Sequence, residues 1–181
     1  MAPGEGFLNP DEVIESLDIR PGERVADFGC GAGFFSVPLA KKVGSSGKVY
    51  SFDIRPEALE ATRAKSKLYH LFNIDASRAD LELPNGSGLK NESVDKVFIS
   101  NILFQVKDKS ALVRETARIL KQGGKIAIIE WSDLAPGAGG PSLEERIGED
   151  EARKIFESER FAFERTFKAG SHHYGIIMKK T

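Results

Sequence analysis

Apolar residues along this chain gather into short runs of two alternating kinds. Residues 24–28, 48–53, 93–100 and 125–131 are compact and rich in Val, Ile and Phe, the pattern of strands buried on both faces. Between them lie stretches whose apolar residues recur three or four apart, the helical period. The segment 34–43 carries Phe35, Leu39 and Val43; 56–72 carries Ala61, Ala64, Leu68 and Leu71, with Arg63, Lys65 and Lys67 off that face. A helix beginning at Asp108 or Ser110 aligns Leu112, Thr116, Ile119 and Leu120, and Gly123-Gly124 ends it. A shorter, more polar strand is read at about 73–78. At the start, Asn9 before Pro10, Asp11 and Glu12 is a helix N-terminus, with Val13, Ile14 and Leu17 as its apolar face. Residues 1–8 are expected to be a flexible lead-in. The end reads as a helix over 149–158 and two strands, 161–167 and 174–178, joined by 168–173. Strands alternating with helices predict an α/β fold with a mostly parallel sheet. Residues 134–142 are rich in Gly and Pro and predict a mobile loop at the ligand-binding edge of that sheet.

The most informative stretch is the junction after the first strand. Asp27-Phe28 leads into Gly29-Cys30-Gly31-Ala32-Gly33-Phe34, with glycine at every second position, and a helix follows. Strand, glycine turn and helix bring a nucleotide-like ligand against bare backbone at a helix N-terminus. Dinucleotide folds place their third glycine where Phe34 stands, and Asp27 would set a negative charge beside a pyrophosphate. A cationic ligand suits that carboxylate better. Asp53 ends the second strand twenty residues after Gly33, where a carboxylate accepts both hydroxyls of an adenosine ribose.

Composition adds limits. The 181 residues suffice for one domain spanning 1–181 with a well-buried core. Lys and Arg number 26 against 27 Asp and Glu, so net charge demands neither nucleic acid nor an anionic membrane. No run is long and apolar enough for a membrane span, no signal pattern precedes the first helix, and a cytoplasmic location is expected. The single cysteine, Cys30, makes no internal disulfide and cannot supply the several thiols of arsenite methylation.

Acid-x-Gly-x-Gly-x-Gly from Asp27 to Gly33, the acid Asp53, and the run Leu120 to Lys125 before an apolar strand resemble class I S-adenosylmethionine (SAM)-dependent methyltransferases. The small-molecule group that includes ubiquinone/menaquinone-biosynthesis-type enzymes is the nearest in character. Gln122 stands where that family normally has Pro. The resemblance covers about residues 9–179 and implies a Rossmann-like, seven-stranded, mostly parallel sheet with an antiparallel last strand and helices on both faces. It implies a cofactor site built from Asp27, Gly29, Cys30, Gly31, Gly33, Phe34, Asp53, Ile54, Asp80, Leu81, Asn101 and Ile102, with SAM bound and S-adenosylhomocysteine released. Asp80 is the acid after the third strand, placed for the adenine amino group, with Leu81 against the ring.

Parallel strands open their ligand crevice at their carboxyl ends. The turn after the sixth strand then brings Ser171, His172, His173 and Tyr174 to the cleft, with Asn101, Phe104, Gln105 and Trp131. His172, His173 and Asn101 are the candidate catalytic residues; Glu130 and Asp133 add carboxylates, and no metal site is expected. Adjacent strand residues point to opposite faces, so one histidine of the pair meets the cleft. The reading is methyl transfer to a small molecule. Its alternatives are a protein or RNA methyltransferase with an open cleft, or a SAM-binding module without chemistry. The segment 101–104 lacks the Asn/Asp-Pro-Pro-aromatic signature of amino-methylating nucleic-acid enzymes.

Overall fold

In the computed structural model, residues 8–133 and 140–181 are described. Seven strands form one sheet: β1 (Arg24–Phe28), β2 (Lys48–Asp53), β3 (Ile74–Arg78), β4 (Val94–Ser100), β5 (Leu120–Trp131), β6 (Phe161–Lys168) and β7 (His173–Lys180). Their spatial order is β3-β2-β1-β4-β5-β7-β6. Pairings among β1 to β5 are parallel, whereas β7 runs antiparallel between β5 and β6. The sheet and the reversed last strand are as expected. The helices are α1 (Pro10–Ser16), α2 (Ser36–Val43), α3 (Pro56–Leu68), α4 (Lys109–Ile119) and α5 (Glu149–Glu157).

The alternation of strand side chains divides the core into two layers. Phe98, Ala127, Ile129 and Ile177 meet α1 and α2, including Val13, Leu17, Leu39 and Val43. Their neighbours Val97, Ile99, Ile126, Ile128 and Ile176 point the other way, onto Leu112 and Ile119 of α4 and Ala152 and Phe156 of α5. Both faces are covered, which is why the central strands read as continuous apolar runs.

Local signals hold at several ends. Asn9 caps α1 by accepting a hydrogen bond from the Asp11 N–H, with Pro10 in the first turn, and Asp108 caps α4 through the Ala111 N–H. Helix α2 starts at Ser36, two residues later than expected, and Pro38 sits in its first turn, where no hydrogen bond is lost. Two readings are corrected. Helix α3 stops at Leu68, and its buried positions are Ala58, Leu59 and Thr62. Its other stripe faces solvent, with Leu68 70% exposed. Packing against the glycine loop and β3 selects the first stripe, although both repeat at helical spacing. Gly123-Gly124 does not cap α4: Leu120 is already extended and pairs with Val94, and the glycines occupy an irregularity within β5. A Cβ at Gly124 would lie 2.8 Å from Leu120 Cγ, so that irregularity needs a bare backbone.

Most of the loop expected at 134–142, and most of the lead-in, lie outside the described residues. Leu8 is buried, against the α1–α2 layer. Among the described residues no helix is long and apolar enough to cross a membrane.

Candidate active site

Strand order reverses between β1 and β4: the chain moves outward through β2 and β3, then returns to β4 on the other side of β1. The segments leaving the two strands diverge there, and the crevice between them is the ligand position of open α/β sheets. A cavity of about 620 Å³ occupies it, lined from Asp80 beyond β3 to His173 at the start of β7. Five strand spacings separate those ends, roughly 24 Å.

The glycine loop forms the middle. Gly29, Gly31 and Gly33 all have positive φ, between +51° and +75°. At Gly29 a Cβ would lie 2.1 Å from Ile102 Cγ2, so glycine there admits the segment leaving β4. At Gly31 a Cβ would meet nothing within 4 Å, so that backbone faces open cavity. The loop is tied down from below: the Gly31 carbonyl accepts the Thr62 hydroxyl at 2.9 Å, and the Gly31 N–H donates to Asp53 at 3.0 Å.

Asp27 is 1% exposed and lines the cavity. Its hydrogen-bond partner is the Ser36 hydroxyl at 2.5 Å, which in turn accepts from Ser51 at 2.8 Å. Among the described residues no lysine or arginine pairs with it. Burial pushes its pKa up to about 7 against the Ser36 hydrogen bond, and the nearby Asp53 charge adds to the rise. Asp53 behaves oppositely. Burial works against its ionised form, but hydrogen bonds from the Arg55 side chain and from the Arg55 and Gly31 N–H groups outweigh it and hold the carboxyl below its ordinary range. Cys30 is buried, its thiol pushed up to about 12 chiefly by that burial, and it is no thiolate at neutral pH.

Phe34, Ile54, Asp80, Leu81 and Ile102 also line the cavity. So does Asn101, which has a φ of +56° and a buried side-chain oxygen with no hydrogen-bond partner among the described residues. At the far end, His173 stacks on Trp131 with ring centroids 4.2 Å apart. The residue is 8% exposed, and neither ring nitrogen has a hydrogen-bond partner among the described residues. Burial first, then the neighbouring His172 and Arg146, lower its pKa to about 4, so it is neutral at pH 7.

Several residues expected at the cleft lie elsewhere. His172 precedes β7, with Nδ1 2.7 Å from the Ser171 hydroxyl, and neither Ser171 nor His172 lines the cavity. Tyr174 points into the other layer and donates its hydroxyl to the Ile147 carbonyl at 2.8 Å. Phe104 packs on that layer too. Glu130, 1% exposed, turns beneath the segment leaving β4 and accepts the Leu103 N–H at 2.7 Å. Strand alternation decides Tyr174 and Glu130, whose neighbours His173 and Trp131 line the cavity. Sequence reasoning missed the Ser51–Ser36–Asp27 chain and Arg55 as the partner of Asp53; an unremarkable serine at a helix start carries no signal of its own. Among the described residues no group of three or more His, Cys, Asp or Glu could hold a metal ion.

The residues fit a ligand that carries a cation and a ribose. A buried carboxylate without a counter-ion among the described residues, an open glycine backbone and an acid at the end of β2 surround one cavity. Comparison with known proteins agrees. A family model described as a methyltransferase domain matches residues 19–169. The chain is 39% identical over 126 residues to the aklanonic acid methyltransferase of a Streptomyces species, covering 68% of this chain and 56% of that protein. It is 30% identical over 122 residues to the demethylmenaquinone methyltransferase of Bacillus mycoides, covering 67% and 50%. The chain thus spans about half the length of these relatives. A SAM-dependent methyltransferase structure from Aquifex aeolicus superposes with a TM-score of 0.87 at 26% identity, over 97% of this chain and 91% of that one. The chain belongs to the methyltransferase-domain family, whose cofactor is S-adenosylmethionine.

Proposed function

We propose that this chain transfers a methyl group from SAM to a small-molecule acceptor by in-line displacement. The buried, counter-ion-free carboxylate of Asp27 carries the reading: burying such a group is costly until a cation arrives. SAM supplies an electrophilic methyl on a sulfonium with a good leaving group. Asp27 faces the positively charged end, Gly31 offers its backbone, and Asp53 takes the ribose hydroxyls. Asp80 receives the adenine amino group, with Leu81, Ile54 and Ile102 against the ring. Cys30 and Phe34 shape the loop rim, and the backbones of Gly29 and Gly33 allow its turns.

Asn101 and His173 remain for the acceptor. A group as weakly basic as His173 does not ionise a hydroxyl at neutral pH, and its ring, packed on Trp131, offers the acceptor a wall of the cavity. Its role is therefore to hold the acceptor in line, the step from which orientation supplies roughly 7–11 kcal/mol. His172, outside the cavity lining, has no part in this. A small acceptor is supported by the relatives, named for demethylmenaquinone and aklanonic acid, and by a cavity lined on its acceptor half by uncharged residues.

Calorimetric titration with SAM, S-adenosylhomocysteine and NADH tests the reading. Micromolar binding of the first two, and none of NADH, is expected. In Asp53→Ala, affinity for S-adenosylhomocysteine falls at least about tenfold, because a charged hydrogen bond to the ligand and the tie to Gly31 are both lost. Binding of NADH alone would overturn it.

A further inference from the structure

Positive charge and exposed apolar surface coincide at the end of the sheet opposite the cavity. No acid stands between Asp27 and Asp53, a stretch that holds Lys41, Lys42 and Lys48. None stands between Glu60 and Asp75 either, where Arg63, Lys65, Lys67 and His70 lie. The near-zero net charge of the chain therefore conceals a cationic face. Lys42 and Lys48 pair with Glu15 and Asp75, whereas among the described residues Lys41, Lys65 and Lys67 have no carboxylate partner.

Apolar side chains protrude at the same place. Leu68, Tyr69 and Phe72 are 70%, 50% and 87% exposed. Leu68 ends α3, Lys65 and Lys67 lie in that helix's last turn, and the Lys41 ammonium stands 4.9 Å from the Tyr69 ring centre. Phe72 is held outward by both neighbours. Leu71 packs against the α1–α2 layer, and its N–H donates to the Ser66 carbonyl at 2.8 Å. The Asn73 amide donates to the Ala40 and Gly44 carbonyls, both at 2.9 Å. A ring fixed in water between two anchored residues is exposure that the fold maintains, and clustered apolar exposure marks a contact surface. Lys48, which shares a shallow groove with Lys41, His70 and Phe72, begins β2, and Asp53 ends it. The face therefore stands roughly 17 Å from the cofactor acid, at the other end of that strand.

We propose that this face docks on an anionic lipid bilayer, with Leu68, Tyr69 and Phe72 entering the headgroup boundary and Lys41, Lys65 and Lys67 meeting its phosphates. Hydrocarbon accepts apolar side chains of any shape, and lysine stems let the ammonium reach the headgroups. Single-stranded nucleic acid needs flat rings to stack on; Leu68 has none, and the Lys41 ammonium already covers one face of Tyr69. A symmetric second copy of this chain would set its own lysines against these, like charge on like. Docked in this way, the chain keeps the cavity at its far end, open to water.

Sedimentation with sucrose-loaded vesicles tests the docking. The native protein should partition onto vesicles of phosphatidylcholine and phosphatidylglycerol, mixed three to one, at least about tenfold more strongly than onto phosphatidylcholine alone. The double variant Lys65→Gln, Lys67→Gln should lower that partition about tenfold, and Leu68→Ser, Phe72→Ser should lower it at least about tenfold. Both variants should melt within about 2 °C of the native protein, because none of the four side chains is buried. Native protein that stays off the anionic vesicles overturns the proposal. So does equal partition onto phosphatidylcholine alone, or partition unchanged in either variant. A uridine oligonucleotide added at equal phosphate concentration should leave most of the protein on the vesicles; capture of most of it would assign the face to nucleic acid and overturn the proposal too. A dimer seen by light scattering that Leu68→Ser, Phe72→Ser dissolves would assign the face to a second copy, with the same consequence.

Discussion

Asp27 shows how one buried side chain ties binding to pH. Its pKa is raised to about 7 in the ligand-free fold, chiefly by burial. A bound cation favours the ionised form, so at pH 6 SAM must displace a proton. Affinity should therefore climb by up to about tenfold per pH unit below 7 and level off above it. Calorimetry at pH 6 in two buffers of unlike ionisation heat reads the released proton directly; equal heats would remove Asp27 from the cation site. Asp27→Asn should abolish the release and weaken SAM roughly 10–100-fold. The sequence already pointed to Asp27, because an acid before the glycines suits a cation. It did not point to Ser36 and Ser51, whose hydroxyls come together only because α2 lies over β1 and β2.

At the scale of elements, the segment leaving β4 is held from two sides. Above, Ile102 presses on Gly29; below, the carboxylate of Glu130 receives the backbone N–H of Leu103. Glu130→Ala leaves this buried donor without its acceptor and should cost about 2 kcal/mol or more in urea unfolding. Unchanged stability would mean that the segment holds itself. The glycine loop gives a paired test. Gly29→Ala puts a methyl into Ile102 at positive φ and should lower stability by about 2–4 kcal/mol. Gly31→Ala bears only the left-handed backbone cost of about 1–2 kcal/mol, yet intrudes on the ligand, so its larger effect should be lost SAM affinity. Equal stability losses with binding intact in Gly31→Ala would contradict this division. These contrasts were not legible in the glycine spacing, which makes the three positions look alike.

For the whole molecule, two sets of carboxyls pull stability in opposite directions with pH. Asp27 and Glu130 have pKa values raised to about 7, each first by burial. The folded chain keeps these protons after the unfolded chain has lost its own near pH 4, so their contribution falls as pH rises toward 7 and above. Asp53, Asp95 and Glu115 are lowered by hydrogen bonds that overcome their burial; their contribution is present above pH 4 and lost in acid. On the proposed reading, saturating SAM gives Asp27 a cation. The gain in melting temperature on adding SAM should therefore be several degrees larger at pH 8 than at pH 5. An equal gain at both would assign the raised titration to another group.

By itself the sequence determined the order of strands and helices, the glycine turn with its flanking acid, and Asp53 at the end of β2. Each is written in contiguous residues: period, turn chemistry and the spacing of one motif need no distant partner. Tertiary structure decided which of two stripes of α3 is buried, that β5 begins without a glycine cap, and which of two adjacent histidines faces the cavity. It also decided that Glu130 braces a loop while Trp131, the next residue, lines the site. These outcomes depend on what packs across the sheet, and a change of one residue in register exchanges the two faces of a strand. The raised pKa of Asp27 and the burial of Asn101 and His173 side-chain atoms that have no partner among the described residues belong to the same class, because burial is a property of neighbours distant in the chain.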